Sequence, residues 1–269
     1  MYSFKLRTMK ETEVRFLSKP KLRSPIVILG LPGIGLVGKI AVDHLVAKTK
    51  AKKFCELYSP SFPPQVITDE EGIVRMVRNE FYHFASGKKD IIIIAGDFQG
   101  MSPESQYEIT GKLLDVVQGF KPKMLYTLGG LATGRVQKEP QVYGAATDKK
   151  VILQLKDKGI KFSGREGGGI FGASGLLLGM GKLRGIDGLC IMGETVGQVV
   201  DAKAAKVVLQ KLAKLLSIEV DMKDLDKQAE QTEKELEKLA KMQEEQAQAL
   251  QMALTSKASS DEDVMRYIR

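Results

Sequence analysis

The apolar positions change regime along the chain. Residues 25–30 (PIVILG) are a continuous apolar run, the pattern of a strand buried on both faces, and 90–95 (DIIIIA) and 124–128 (MLYTL) repeat it. Helix-length segments at 34–47 and 102–119 lie between them. The second opens on Ser102-Pro103-Glu104, which supplies a capping hydroxyl, a preset φ and a first-turn acid. Residues 53–57 predict a strand, and 65–68 with 72–84 predict a hairpin around Asp69-Glu70-Glu71-Gly72. A strand at 186–192 and a helix at 201–216 follow, and the first 24 residues predict one more β segment. Such alternation specifies an α/β fold with a mostly parallel central sheet and helices on both faces. The hairpin adds antiparallel strands.

From Leu225 onward the period becomes 3.5. Apolar or small positions fall at Leu225, Ala229, Thr232, Leu236, Leu239, Gln243, Gln246, Leu250 and Ala253, in alternating steps of four and three. Glutamates and lysines flank this seam in i,i+4 pairs such as Glu230–Lys234 and Glu237–Lys241. The pattern predicts a long C-terminal amphipathic helix over 221–254. Its seam residues Leu225, Leu236, Leu239 and Leu250 need a surface, on their own domain or on another subunit, because a lone helix of this kind gains little. Residues 256–263 (SKASSDED) have the composition of a flexible linker, and Val264-Met265-Arg266-Tyr267-Ile268-Arg269 turns amphipathic again.

Composition sharpens the division. All 27 glycines and all 9 prolines precede residue 221, so the chain separates into a turn-rich domain (1–220), a helix (221–254) and a flexible tail (255–269). Charge divides at the same place. Of 41 basic and 33 acidic side chains, 8 and 12 follow residue 220, a net of −4, leaving 33 and 21, a net of +12, before it. The basic residues are scattered, with no base-stacking aromatic motif or recognition helix, so nucleic acid is not the expected partner. A basic surface attracts an acidic protein equally well. Two cysteines, Cys55 and Cys190, are too few for a disulfide framework, and His44 and His83 lack metal-ligand spacing. No signal-peptide core or membrane-length apolar run occurs, so a cytoplasmic protein without a membrane partner is expected.

The first strand runs into Gly30-Leu31-Pro32-Gly33-Ile34-Gly35-Leu36-Val37-Gly38-Lys39. Gly33, Gly35 and Gly38 spell GxGxxG between strand and helix, and Glu56 follows about 20 residues on, where a ribose-binding acid stands in dinucleotide sites. The same residues nearly spell a P-loop, but Ile40 takes the place of the magnesium-ligating hydroxyl, although Ile91–Ile94 with Asp97 imitates the companion acidic strand. A third possibility is structural: glycines permit a tight turn and close helix–sheet approach. This loop is the candidate ligand site.

A second glycine cluster occupies 164–181 (GREGGGIFGASGLLLGMG). Gly168, Gly172, Gly175 and Gly179 recur at helical spacing, which predicts a tightly packed helix or an oligomer contact. Arg165 and Glu166, together with Asp97, Glu194 and Thr195 at strand C-terminal ends, are candidates to line a pocket. No nucleophile elbow occurs; Ser174 sits in GASG, and neither histidine has an adjacent Ser or Cys to activate. No catalytic residue, metal or cofactor is expected.

Six stretches, in order, resemble the PAC2 family of proteasome-assembly-chaperone-2-like proteins, especially the archaeal homologues. They are PIVILGLPGIGLVGKIAVDHL (25–45), SPSFPPQV (59–66), DIIIIAGDFQ (90–99), TLGGLATG (127–134), GGIFGASGLLL (168–178) and GLCIMGETVG (188–197). The resemblance implies a single α/β domain with a nucleoside-phosphorylase type of sheet and no established enzymatic activity. It implies homo-oligomers, with several tails on one ring, that bind 20S proteasome α subunits as assembly chaperone or activator. Proteasome activators dock through a C-terminal hydrophobic–tyrosine–any residue motif. Here Tyr267 stands third from the end and Ile268 takes the tyrosine place, so Tyr267, Ile268 and Arg269 form an off-register version of that motif.

Overall fold

The computed structural model describes residues 9–134, 139–162 and 168–234, with helical pieces at 237–238 and 241–242. In chain order, β1 (Glu13–Phe16) and β2 (Ile26–Leu29) lead through a 3-10 turn (Ile34–Leu36) into α1 (Val37–Thr49) and β3 (Lys52–Tyr58). A small hairpin, β4 (Val66–Thr68) and β5 (Val74–Met76), precedes β6 (Asn79–Ser86) and β7 (Lys89–Gly96). Then come α2 (Pro103–Gln118), β8 (Met124–Ala132), β9 (Val142–Ala146) and α3 (Lys149–Leu155). The last named elements are α4 (Ala173–Leu183), β10 (Gly188–Thr195) and α5 (Ala202–Leu216). Residues 223–234 are also helical.

Eight strands form one sheet in the order β1-β3-β6-β7-β2-β8-β10-β9. The central four, β7, β2, β8 and β10, run parallel, as their continuous apolar runs require. β1, β3 and β6 on one flank and β9 on the other pair antiparallel, so the sheet is mixed at its edges. Successive residues of β2 serve opposite cores. Ile28 packs with Val37, Ala41 and Leu45 of α1 and with Leu209 and Leu212 of α5. Val27 and Leu29 pack with Ile109 and Leu113 of α2 and Leu177 of α4. Ser102 caps α2 as expected: its hydroxyl accepts from Ser105 N at 3.2 Å, and the Ser105 hydroxyl accepts from Ser102 N at 2.8 Å.

The predicted second strand of the hairpin, 72–84, is divided. Val77 turns into the core, and the Asp97 carboxylate accepts from Arg78 N at 3.0 Å while clasping the Arg75 guanidinium at 2.6 and 2.9 Å. Residues 74–76 therefore stay in the separate two-stranded sheet and 79–86 join the main one. β9 and α3 have no counterpart in the sequence pattern. Gly144 sits within β9 because Ile160 and Phe162 press on it: a Cβ there would meet Ile160 at 2.6 Å. The second glycine cluster is corrected as well. Its helix begins only at Ala173, and Gly172, with φ +76°, is the residue before it, so Gly168 and Gly172 are not helical neighbours of Gly175 and Gly179.

The compact unit extends to Ala229. Leu225 is 1% exposed and joins Leu216 and Ile218 in the core on the α1–α5 side. His44 Nε2 lies 2.6 Å from the Asp221 carbonyl oxygen, Lys48 pairs with Asp224 at 2.6 Å, and Lys206 pairs with Asp226. The first turns after residue 220 are thus built into the α/β body.

Candidate functional site

The glycine loop divides its glycines between two tasks. Gly30 and Gly38 let α1 lie directly on the sheet: a Cβ on Gly38 would sit 2.2 Å from Leu128 O, and one on Gly30 would sit 2.2 Å from Gly38 O. Gly35 has φ +62°, the left-handed conformation that glycine adopts freely, and Leu36 continues it at φ +52°. The Gly35 carbonyl accepts from Asp201 N at 2.9 Å, and the Asp201 carboxylate caps α5 through Ala204 N at 2.8 Å. Gly33 is extended and open on one side.

Beside this loop lies a cavity of about 450 Å³, at the C-terminal ends of β2, β8 and β10, where open α/β sheets hold ligands. Gly33, Ile34, Gly129, Phe171, Gly172 and Met192 are among its walls. Gln99 ties two of the walls together. Its amide nitrogen donates to Pro32 O at 2.5 Å, and its amide oxygen accepts from Ala173 N at 2.8 Å. Gly33 and Gly38 line this cavity; Gly35 instead faces Thr195 and Asp201, so the three glycines do not form one cradle.

The polar residues singled out from the sequence mostly lie elsewhere. Glu56 is on β3, which β6 and β7 separate from β2, so it does not meet the glycine loop. Lys39 turns to Asp43 at 2.7 Å and to Gly96 O at 3.3 Å. Asp97 is engaged by Arg75 and Arg78. Glu194 and Thr195 are buried at the end of β10, with Thr195 Oγ1 accepting from Gly197 N at 3.2 Å. Arg165 and Glu166 lie outside the described residues. Gln99, Gly129 and Phe171 were not singled out as site residues. Only topology brings them together, although Gly129 stands in a double glycine and Phe171 interrupts a glycine run.

The sequence pattern, the mixed sheet and the cavity between glycine segments meet in one comparison: the PAC2 family model matches residues 27–240. The chain belongs to the PAC2 family. Pyrococcus furiosus PbaB, an archaeal proteasome activator, has a crystal structure that superposes with a TM-score of 0.82 at 44% identity, over 86% of this chain and 100% of that one. Pyrococcus furiosus PbaA, an archaeal homologue of proteasome-assembly chaperone, superposes with a TM-score of 0.70 at 28% identity, over 84% and 96%. An uncharacterised protein of Methanocaldococcus jannaschii is 40% identical over 268 residues, 100% of this chain and 99% of that protein. The central parallel strands and the glycine loop thus belong to the family's shared domain.

This PAC2 protein also carries a charged network on β3 and β6. Lys53 bridges Glu56 at 2.8 Å and Glu80 at 2.9 Å, Arg78 reaches Glu80 at 2.8 Å and Glu56 at 3.5 Å, and the hydroxyls of Tyr58 and Tyr82 donate to Glu56 and Glu80. Burial alone would raise the Glu56 carboxyl. Hydrogen bonds from Lys53 and Tyr58 and the Arg78 charge outweigh it and hold Glu56 below the ordinary glutamate range. The same balance, with Tyr82 in place of Tyr58, lowers Glu80. Both groups are depressed by folding, so they stabilise the native chain above the ordinary value of about 4.3, and that contribution is lost as pH falls below it. Arg78→Leu is expected to lose roughly 1–3 kcal/mol at pH 7, because Glu56 stays buried with Lys53 and Tyr58 but one partner fewer. The loss should shrink at pH 3.5; urea midpoints at the two pH values check this, and an equal loss at both would assign Arg78 to packing alone.

The two thiols are buried. Burial pushes Cys55 up to about 12 and Cys190 up to about 11, so neither is a nucleophile near neutral pH. No described helix is long and apolar enough to cross a membrane. Of the proposed seam residues, the structure places Leu225 in its own core, while Leu236, Leu239 and Leu250 lie outside the described residues, as do Tyr267, Ile268 and Arg269.

Proposed function

We propose that this PAC2 protein is a non-enzymatic proteasome-binding factor of the activator kind, a homo-oligomer that docks on the α subunits of the 20S particle through its C-terminal tail. The observation that carries this reading is the likeness to PbaB, an archaeal proteasome activator, at 44% identity over the whole of that chain. PbaA, the assembly-chaperone homologue, stands at 28% identity, which favours the activator side. The chain's own residues add a rationale. An acidic linker, 256–263, carries the amphipathic 264–269, the order expected of a tethered peptide ligand. The split of +12 before residue 221 and −4 after it suits contacts between proteins.

A pull-down with assembled archaeal 20S particles and with free α subunits, read beside native mass, tests the reading. The expected result is an oligomer retained on assembled 20S, with faster peptide hydrolysis by the particle when the protein is added. Retention on free α subunits alone would move the protein to the assembly-chaperone side. Retention on neither would remove the proteasome reading.

A further inference from the structure

The cavity beside the glycine loop has a chemistry that proteasome binding leaves unused. Its floor is the sheet at Gly129, Cys190 and Met192, and its walls include Gly33 on one side and Gly169 and Gly172 on the other. Its side-chain polar groups bond within the protein, except the Gln106 amide oxygen, which is buried with no partner among the described residues. Gln99 spans Pro32 O and Ala173 N, the Ser174 hydroxyl donates to Leu128 O at 3.3 Å, and the Gln106 amide nitrogen donates to Gly100 O at 2.6 Å. Among the described residues no charged side chain lines the cavity. Lys39, the loop's own cation, faces Asp43 and the Gly96 carbonyl instead. Among the described lining residues a phosphate would find no cation, and the first amide of α4, Ala173 N, is already taken by Gln99.

What the cavity does offer is flat and neutral. Glycine walls present peptide planes and backbone polar groups in place of side chains. Phe171, 89% exposed, presents an aromatic face at the mouth. The volume of about 450 Å³ lies within the range of small-molecule sites. We propose that this cavity binds a flat, uncharged heteroaromatic molecule, stacked on Phe171, with its edges on the backbone groups of the glycine walls. This replaces the dinucleotide expectation with a ligand that carries no phosphate. It does not depend on proteasome binding.

Gly129 supplies the decisive variant. A Cβ placed on it meets nothing within 4 Å, so a side chain added there enters open space and plugs the cavity without displacing the fold. Saturation-transfer NMR on the full chain, with adenine, benzimidazole and indole as uncharged probes and AMP and indole-3-acetate as charged counterparts, reads the site. Uncharged probes are expected to bind at millimolar concentration, and their charged counterparts at least tenfold more weakly. Gly129→Leu should abolish the signal at an unchanged urea midpoint, with Gly129→Ala as the smaller plug should the leucine variant misfold. Phe171→Ala should weaken binding about fivefold or more through lost stacking. The proposal is overturned if no uncharged probe binds, if AMP binds as well as adenine, if the plugged variants bind normally, or if Phe171→Ala changes nothing.

Discussion

Removing Tyr267–Arg269 is expected to abolish retention on assembled 20S particles while leaving oligomer mass and urea midpoint unchanged. The proposed anchor is apolar, and burying a side chain such as Tyr267 or Ile268 in a partner pocket is worth about 1.5–3 kcal/mol each. Tails carried together on one oligomer bind at high effective concentration, so the loss compounds over every tail engaged. A drop of more than a hundredfold in apparent affinity is expected from the truncation, and a smaller drop from Ile268→Ala or Tyr267→Ala alone. The two single variants also test the register. If the off-register motif docks as a displaced pair, Tyr267→Ala and Ile268→Ala weaken binding comparably. If only Tyr267 matters, the register differs from that pairing. Unchanged retention of the truncated chain would sink the tail mechanism and leave the family untouched.

The second large effect concerns the fold. Gly38→Ala is expected to cost about 3–5 kcal/mol, a large share of the roughly 5–15 kcal/mol that keeps an ordinary domain folded. The new methyl would lie 2.2 Å from Leu128 O and 2.9 Å from its carbonyl carbon. Both are backbone atoms of β8, which β2 and β10 grip on either side, so the strand cannot give way. α1 must therefore move off the sheet, and Val37, Ala41 and Leu45 lose packing with it. Gly33→Ala is the control. Gly33 is extended, and the nearest neighbour of an added Cβ is Gln99 Nε2 at 3.6 Å, so a change within about 0.5 kcal/mol is expected. Chemical denaturation of the two variants separates a glycine needed for packing from one that faces the cavity. Equal stability would refute the division of labour drawn from the loop geometry.

Much of the fold was legible because burial on both faces writes itself as continuous apolar runs. Ile26–Leu29, Ile91–Ile94 and Leu125–Leu128 were readable without alternation, and Ser102 announced its helix through local cap chemistry. The glycine loop was legible as a motif but not as a site. Spacing put Glu56 where a dinucleotide acid belongs, yet sheet order inserted β6 and β7 between its strand and the loop. Strand order is set by long-range packing, which no local window contains. β9 and α3 escaped for a related reason: Gly144 is explained only by Ile160 and Phe162 across from it. The division of 72–84 depended on one carboxylate, Asp97, far along the chain. The cavity was hidden because its walls come from five separate segments, and glycine, the commonest residue among them, has no side chain to signal a role.

The sheet order also sets a timetable. β2 pairs with neither of its neighbours in sequence: Ile26 is matched with Ile91 and with Met124, 65 and 98 residues later. During synthesis at about 5–20 residues per second, the central strand waits roughly 5–20 s after its own translation before its second partner exists. Until then an Ile-Val-Ile-Leu edge is unpaired, so nucleation awaits distant segments and folding is expected to be slow for a chain of this size. A growing chain of this topology passes through a nascent stage in which its most apolar strand is its least protected one.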